Sequence, residues 1–285
     1  LVANEKVVGS SPIARSIIMI IWIASYPKSG NTYLRSFISS YYFSKKGKFD
    51  FDLLLNILQF PSFKFSKKKI NSELEASQSW IYNQQQFFSG EKLHFIKTHS
   101  NLNEYKGNNF TTKNLSLGGI YIVRDPRNLI DSISNHFSKS AEESKKFILT
   151  PKVLSPGKEV ELKGGNVITY IGSWKEHYQF WTKNTENLLL IRYEDLVKNI
   201  NKELNKIIEF LKKFVEFKIS DKKIKNIINT TSFESLKKIE ENGIFTENVF
   251  VKGTNDNVKF FNKGPKNIWQ NTLPENIRIE LEDKL

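Results

Sequence analysis

Cysteine is absent from all 285 residues. That excludes disulfide scaffolds, zinc ribbons, thiolate metal centres and cysteine nucleophiles. Arginine is scarce, with six among the 43 basic residues, so lysines scattered along the chain carry most of the +13 formal charge. A dispersed lysine excess is ordinarily a solvated surface. The densest run, Lys67-Lys68-Lys69, is a short loop-like patch, which argues against nucleic acid as a partner. Long apolar runs are missing too. The longest, Ile17 to Ala24, is far short of the roughly 20 residues of a membrane-spanning helix, so no span is expected. It is followed by Tyr26-Pro27-Lys28 and by no small-residue cleavage site, and a buried parallel strand is the better reading. The single methionine, Met19, stands beside this strand. We expect residues 1–18 to be an extension outside the fold and residues 19–285 to form one domain.

What the chain does have is 39% hydrophobic and 26% charged residues, enough for a packed core. Short branched-residue runs at Ile17–Ala24, Leu93–Lys97, Gly119–Val123 and Leu188–Arg192 predict strands. Helical patterns occupy Asn31–Phe43, Phe51–Leu58, Glu73–Phe87, Pro126–Phe137 and Tyr170–Lys183. From Glu194 onward the pattern is helical, with Leu204, Ile207, Ile208 and Leu211 spaced for one buried face. The stretches Ser140–Asn166 and Glu241–Lys259 read as loops long enough to serve as lids or binding segments. No composition break or internal repeat marks a second domain. The alternation predicts a single α/β domain with a central parallel sheet flanked by helices, its ligands lying beyond the carboxyl ends of the strands.

The chemistry should therefore follow each strand. After the first comes Ser25-Tyr26-Pro27-Lys28-Ser29-Gly30-Asn31-Thr32-Tyr33, a glycine turn entering a helix. Free N–H groups and the positive end of the helix dipole make such a turn an anion cradle, to which Lys28 adds a full charge. The lysine precedes the glycine, so this is not a nucleoside-triphosphatase loop, and an ordinary capped turn explains the segment equally well. After the third strand, Arg124-Asp125-Pro126-Arg127 opens a helix. Asp125 suits the N-cap and Pro126 the first helical position, whereas Arg124 and Ser132, the latter about two turns from the cap, suit a second phosphate, although Arg124 taken alone reads equally well as a surface arginine. The second strand ends in Lys97-Thr98-His99. His99 is the one histidine of four at a strand's carboxyl end, and neighbouring lysines should depress its pKa and keep it able to accept a proton. Trp174, His177 and Trp181 recur at helical spacing and read as helix packing.

Taken in order, P-K-S-G-N-T at 27–32, K-T-H at 97–99, R-D-P-R with Ser132, G-S-W-x-x-H at 172–177, R-Y-E-D-L at 192–196, T-S-F at 231–233 and F-N-K-G-x-x-x-x-W at 261–269 resemble the sulfotransferases that use 3′-phosphoadenosine 5′-phosphosulfate (PAPS), most of all the soluble, cytosolic-type branch. The likeness runs from about Ile17 to Leu273. It implies a P-loop-like nucleotide-binding core in which Lys28, Ser29, Gly30, Asn31 and Thr32 hold the 5′-phosphosulfate. Arg124 and Ser132 would grip the 3′-phosphate, assisted by Asn262, Lys263 and Gly264. Tyr193 would contact the nucleotide, Tyr33 and Phe233 would flank adenine, and Thr231 would meet its edge. By the same resemblance His99 is the general base, and Lys28, Lys97 and Ser132 join it as catalytic groups. The product would be 3′-phosphoadenosine 5′-phosphate (PAP), the acceptor a small molecule or glycan, the location cytoplasmic, and no metal is implied. The nucleotide loop departs from the family's usual Arg-Lys-Gly opening in having Asn262, a change that puts donor affinity in question unless Lys266 compensates. Acceptor contacts are expected from Phe49–Asn71 and Ser140–Val167, with His136 and Phe137. Two other functions use similar anion-binding physics: a nucleotide-dependent small-molecule kinase, or a non-catalytic anion-binding protein.

Overall fold

Six consecutive apolar residues, Met19 to Ala24, are buried without exception, as expected of a strand covered on both faces. In the computed structural model they form β1 (Met19–Ala24), one of the two inner strands of a four-stranded sheet. The structure describes residues 18–66, 70–88, 90, 92–155, 167–216, 220–243, 249–250 and 257–285. The expected extension therefore lies outside the described residues except for Ile18, which is buried in the core.

Beside β1 run β2 (Leu93–Thr98) and β3 (Ser116–Val123), and the order is completed by β6 (Leu188–Arg192) as β2-β1-β3-β6, all parallel. Alternation along β1 sends Met19, Ile21 and Ile23 to one face, against α1 (Asn31–Tyr42) and α7 (Ile200–Leu211). All four residues foreseen as the buried face of α7, Leu204, Ile207, Ile208 and Leu211, lie in that cluster. Ile20, Trp22 and Ala24 face the other way and pack with Phe60, Trp80, Phe110 and Trp181. Trp80 comes from α2 (Glu73–Phe87), and Trp181 from α5 (Trp174–Asn184). A third cluster at the carboxyl end joins Tyr26 to α3 (Pro126–Phe137), α4 (Ala141–Leu149) and α10 (Glu275–Lys284).

Three local expectations need correction. The segment from Ser140 is not all loop: α4 starts there, with Ser140 accepting from the Glu143 N–H and Glu143 reaching back to the Ser140 N–H. Its polar first turn hid it, while Phe147 and Ile148 bury its other face. Phe51–Asn56 is a 3-10 helix, not an α-helix. Tyr170 belongs to the two-residue strand β5 (Thr169–Tyr170), paired with β4 (Val153–Leu154), and the left-handed Gly172 separates it from α5. Residues 156–166, 244–248 and 251–256 of the two long loops, and Lys67-Lys68-Lys69, lie outside the described residues.

Candidate active site

Four chain segments meet at the carboxyl edge of the sheet. The first is the turn between β1 and α1. Lys28 and Gly30 both take left-handed conformations there, at φ 67° and 99°. A β-carbon on Gly30 would come within 2.5 Å of the Tyr193 ring, so the residue must lack one for that ring to close on the turn. Past Gly30 the chain enters α1, whose opening N–H groups have no intrahelical carbonyl and form the positive pole of the helix. A left-handed non-glycine such as Lys28 costs about 1–3 kcal/mol, and conformations of this kind gather at ligand sites.

The second segment follows β2. His99 Nδ1 lies 2.8 Å from the Ser25 carbonyl oxygen and 3.2 Å from Ser25 Oγ. A carbonyl can only accept, so Nδ1 carries the proton and Nε2 keeps its lone pair. Burial is the main force holding the His99 pKa well below the ordinary imidazole value, and the Lys97 charge comes second. The lysine effect was expected; its rank behind burial was not. The backbone of His99 is itself held. His177 Nε2 donates to its carbonyl at 3.2 Å, Tyr121 donates its hydroxyl to His177 Nδ1 at 2.8 Å, and Trp181 Nε1 donates to the Ser100 carbonyl at 2.9 Å. Burial lowers the His177 pKa to about 3, which keeps it neutral in this chain of bonds. Helix α5 is thus the brace of the strand end, in agreement with the packing role read from its spacing.

Arg124 closes the third side. Its Nη1 donates to the Lys28 carbonyl at 3.2 Å, its guanidinium lies 4.4 Å over the Tyr193 ring, and it is 6% exposed. Asp125 caps α3 by accepting from the Arg127 N–H, and Glu194 accepts from the Asp125 N–H and the Asn128 amide at 3.1 Å each. Ser132 is half-buried on the same helix. The fourth segment, 262–269, is pinned to α3 from outside. The Asn267 amide donates to the Asn128 carbonyl at 2.9 Å, the Trp269 N–H donates to Asn128 Oδ1 at 2.9 Å, and Arg127 stacks 4.1 Å over the Trp269 ring. Lys263 Nζ reaches Asp131 at 2.7 Å, one residue from Ser132, while Asn262 is exposed. Phe233, at the start of the helix Phe233–Glu241, lies against Gly264, where a β-carbon would sit 2.2 Å from its ring.

Several foreseen residues use their side chains differently from the expectation. Asn31 donates to the Ile23 carbonyl and to Ser25 Oγ and accepts from Arg35 Nε, and Thr32 Oγ1 accepts from Arg35 Nη2. Both can still offer backbone N–H groups to an anion. The Thr231 hydroxyl donates to the Ile227 carbonyl at 2.6 Å and keeps only acceptor capacity for a base edge. Tyr33 is buried, with Phe37 and Tyr193 edge-on to its ring.

Sequence reasoning missed three contributors: Ser25, which orients His99; Arg35, which is 2% exposed and ties Asn31 to Thr32; and a partner of Lys28. That partner is His136, foreseen only as acceptor wall. Its Nδ1 lies 3.2 Å from Lys28 Nζ, which also sits 3.9 Å over the Phe260 ring. The spacings were legible, Arg35 standing four residues after Asn31 and His136 four after Ser132, one helical turn in each case. Among the described residues no group of three or more His, Asp or Glu could hold a metal ion, and no helix is long and apolar enough to cross a membrane.

Anion-binding α/β proteins whose turn lysine precedes the glycine stand apart from the nucleoside-triphosphatases, whose lysine follows it. The family model described as the sulfotransferase domain matches residues 20–283, and the chain belongs to that family. It is 27% identical over 270 residues to Sulfotransferase 1E1 of Rattus norvegicus, covering 92% of this chain and 80% of the rat protein. Cytosolic sulfotransferase 12 of Arabidopsis thaliana is 27% identical over 176 residues, covering 60% of this chain and 50% of the plant protein. Among solved structures, the mouse sulfotransferase SULT7A1 complexed with PAP superposes with a TM-score of 0.56 at 22% identity, over 95% of this chain and 83% of that one, which establishes the shared fold.

Proposed function

We propose that the chain transfers the sulfuryl group of PAPS to a hydroxyl or amine of a small-molecule or glycan acceptor in the cytoplasm, with His99 as general base. One observation carries this reading: the β1–α1 turn is gripped from both sides, by His99 through the Ser25 carbonyl and by Arg124 through the Lys28 carbonyl. A proton acceptor, a lysine and a buried guanidinium are thereby fixed to one short piece of backbone. Two polar atoms there, Ser29 Oγ and Arg124 Nε, are buried without a partner among the described residues. A buried polar atom left unpaired costs about 1–3 kcal/mol, and anionic oxygens would satisfy both of these. The residues present therefore fit an adenosine phosphosulfate with a phosphate at each end. The relatives support the same donor and location through a structure solved with PAP and a plant protein named cytosolic.

When bound, the donor supplies a sulfuryl group already activated on a phosphate leaving group. The turn N–H groups and Ser29 would hold the 5′-phosphosulfate, while Lys28 neutralises charge building on the oxygen that leaves. Arg124, Ser132, Lys263 and Gly264 would hold the 3′-phosphate, with Asn262 beside them. Tyr33, Tyr193, Phe233 and Thr231 would surround the nucleoside. His99 Nε2 would take the acceptor's proton, and Lys97 adds positive charge beside it. By analogy with phosphoryl transfer little covalent work falls to the protein, so placement and charge dominate, and the base adds about 10²–10⁴-fold.

Calorimetric titration with PAP, set beside ATP plus magnesium, tests the reading. PAP should bind at least tenfold more tightly. Binding of ATP–magnesium with no response to PAP would favour the kinase, and PAP binding without sulfuryl transfer from labelled PAPS to any member of an acceptor library would leave an anion-binding protein.

A further inference from the structure

Helix α3 ends beside the turn that carries Lys28, and His136 occupies its last turn. An ammonium has hydrogens and no lone pair, so in the 3.2 Å contact Lys28 donates and His136 Nδ1 accepts. The Phe260 ring takes the same Nζ on its face at 3.9 Å and meets the imidazole edge-on, with centroids 6.2 Å apart and planes at 84°. A lone pair and a π face together fix the end of a side chain that is otherwise a flexible four-carbon stem. The imidazole can accept only while neutral. Burial first, then the charges of Lys28 and Lys97, lower its pKa to about 3 and keep it so. Leu129, Ile130, Ile133 and Phe137 make this helix's contribution to the apolar cluster at the carboxyl end, and His136 is not among its members.

We propose that His136 is a positioning residue for sulfuryl transfer: by accepting an Nζ–H of Lys28 it helps hold that ammonium at the donor turn. The inference rests on the reading of Lys28 as the group that faces the phosphosulfate. It makes the end of α3 the link between the donor turn and the acceptor side, where Lys97 and His99 stand.

The test is a double-mutant cycle on PAPS affinity, read by calorimetry on the full chain. Lys28→Met should weaken PAPS binding about tenfold, the order expected for a hydrogen bond to a charged group. His136→Phe, which keeps a ring and removes the acceptor, should weaken it about three- to fivefold alone and not at all in the Lys28→Met background. His136→Gln, whose Oε1 can accept from Lys28, should stay within twofold of the parent. A merely structural role would give equal losses in both backgrounds and no rescue by glutamine, and either outcome overturns the proposal while leaving Lys28 in place. Unchanged PAPS affinity in Lys28→Met would overturn the reading of Lys28 and this inference together. A second readout needs no nucleotide: reductive methylation of Lys28 by formaldehyde and cyanoborohydride, followed by mass spectrometry, should be faster in His136→Phe and unchanged in His136→Gln. Equal rates in all three proteins would count against the contact.

Discussion

His99 and His177 belong to one chain of hydrogen bonds, yet they are fitted for different work. Both ring nitrogens of His177 are committed, to Tyr121 and to the His99 carbonyl, whereas His99 uses only Nδ1. Replacing His99 with alanine should therefore lower turnover by about 10²–10⁴-fold and leave the dissociation constant for PAP within about twofold. Parallel loss of both, measured by steady-state kinetics and calorimetry, would deny it the role of base. Because burial and Lys97 depress its pKa, protonation requires more acid than for a free imidazole near 6.5. Turnover should accordingly hold level from pH 8 down through 6.5, and its acid limb should fall well below that value. Arg124→Gln removes a guanidinium that lies over Tyr193 and donates to the turn, and PAP affinity should drop about tenfold or more. The candidate base was legible because a histidine directly after a strand must lie on the sheet's edge. The contact of His136 with Lys28 was not, even though its spacing from Ser132 was, because that contact spans 108 residues of chain.

At the scale of elements, hydrophobic period identified what is long and apolar and overlooked what is short and polar at its ends. β6, α2 and α3 have the bounds read from the sequence. Helix α4 escaped because Ser-Ala-Glu-Glu-Ser-Lys-Lys shows no period until Phe147 and Ile148 are known to face α10. The β1–α1 turn shows what such reading can and cannot supply. Its residues read equally well as an anion cradle and as a capped turn, but the close approach that Gly30 permits comes from Tyr193, which arrives from a different strand end. Gly30→Ala should lose about 1–3 kcal/mol to backbone strain alone, and more because the buried Tyr193 ring must shift. Gly107→Ala provides the comparison, since Gly107 is also left-handed, at φ 77°, with nothing within 4 Å of its would-be β-carbon. Urea denaturation should find Gly30→Ala the more destabilised of the two, with PAP affinity reduced only there. Equal destabilisation would mean that Tyr193 yields freely and the close approach is unimportant.

Over the whole molecule, the α/β class followed from strands alternating with helices, but the order β2-β1-β3-β6 did not. Strand order depends on which face each crossover helix covers, and that is decided by contacts such as Leu34 and Phe37 on one side of β1 and Trp181 on the other. Net charge was equally silent about the interior. A chain with a formal charge of +13 keeps His94, His99, His136 and His177 all below the ordinary imidazole pKa, with burial the first cause in each. This has a consequence for stability whose sign can be worked out. Between the folded values, about 3 for His136 and His177, and the unfolded value near 6.5, the unfolded chain binds more protons, so stability rises with pH across that window and is lost on acidification. A full difference of one proton is worth about 1.4 kcal/mol per pH unit. Carboxylates with lowered pKa values, Glu280 at about 2 among them, act in the same direction but only once unfolded carboxylates begin to titrate near 4.3. The fall in urea midpoint from pH 6.5 to pH 5 should therefore belong to the histidines, and His177→Gln should make it shallower even though that variant starts less stable. A midpoint that stays level over this interval would mean that the imidazoles reach water or a compensating anion in the folded chain, contrary to the buried His99–His177–Tyr121 bonds that brace the end of β2.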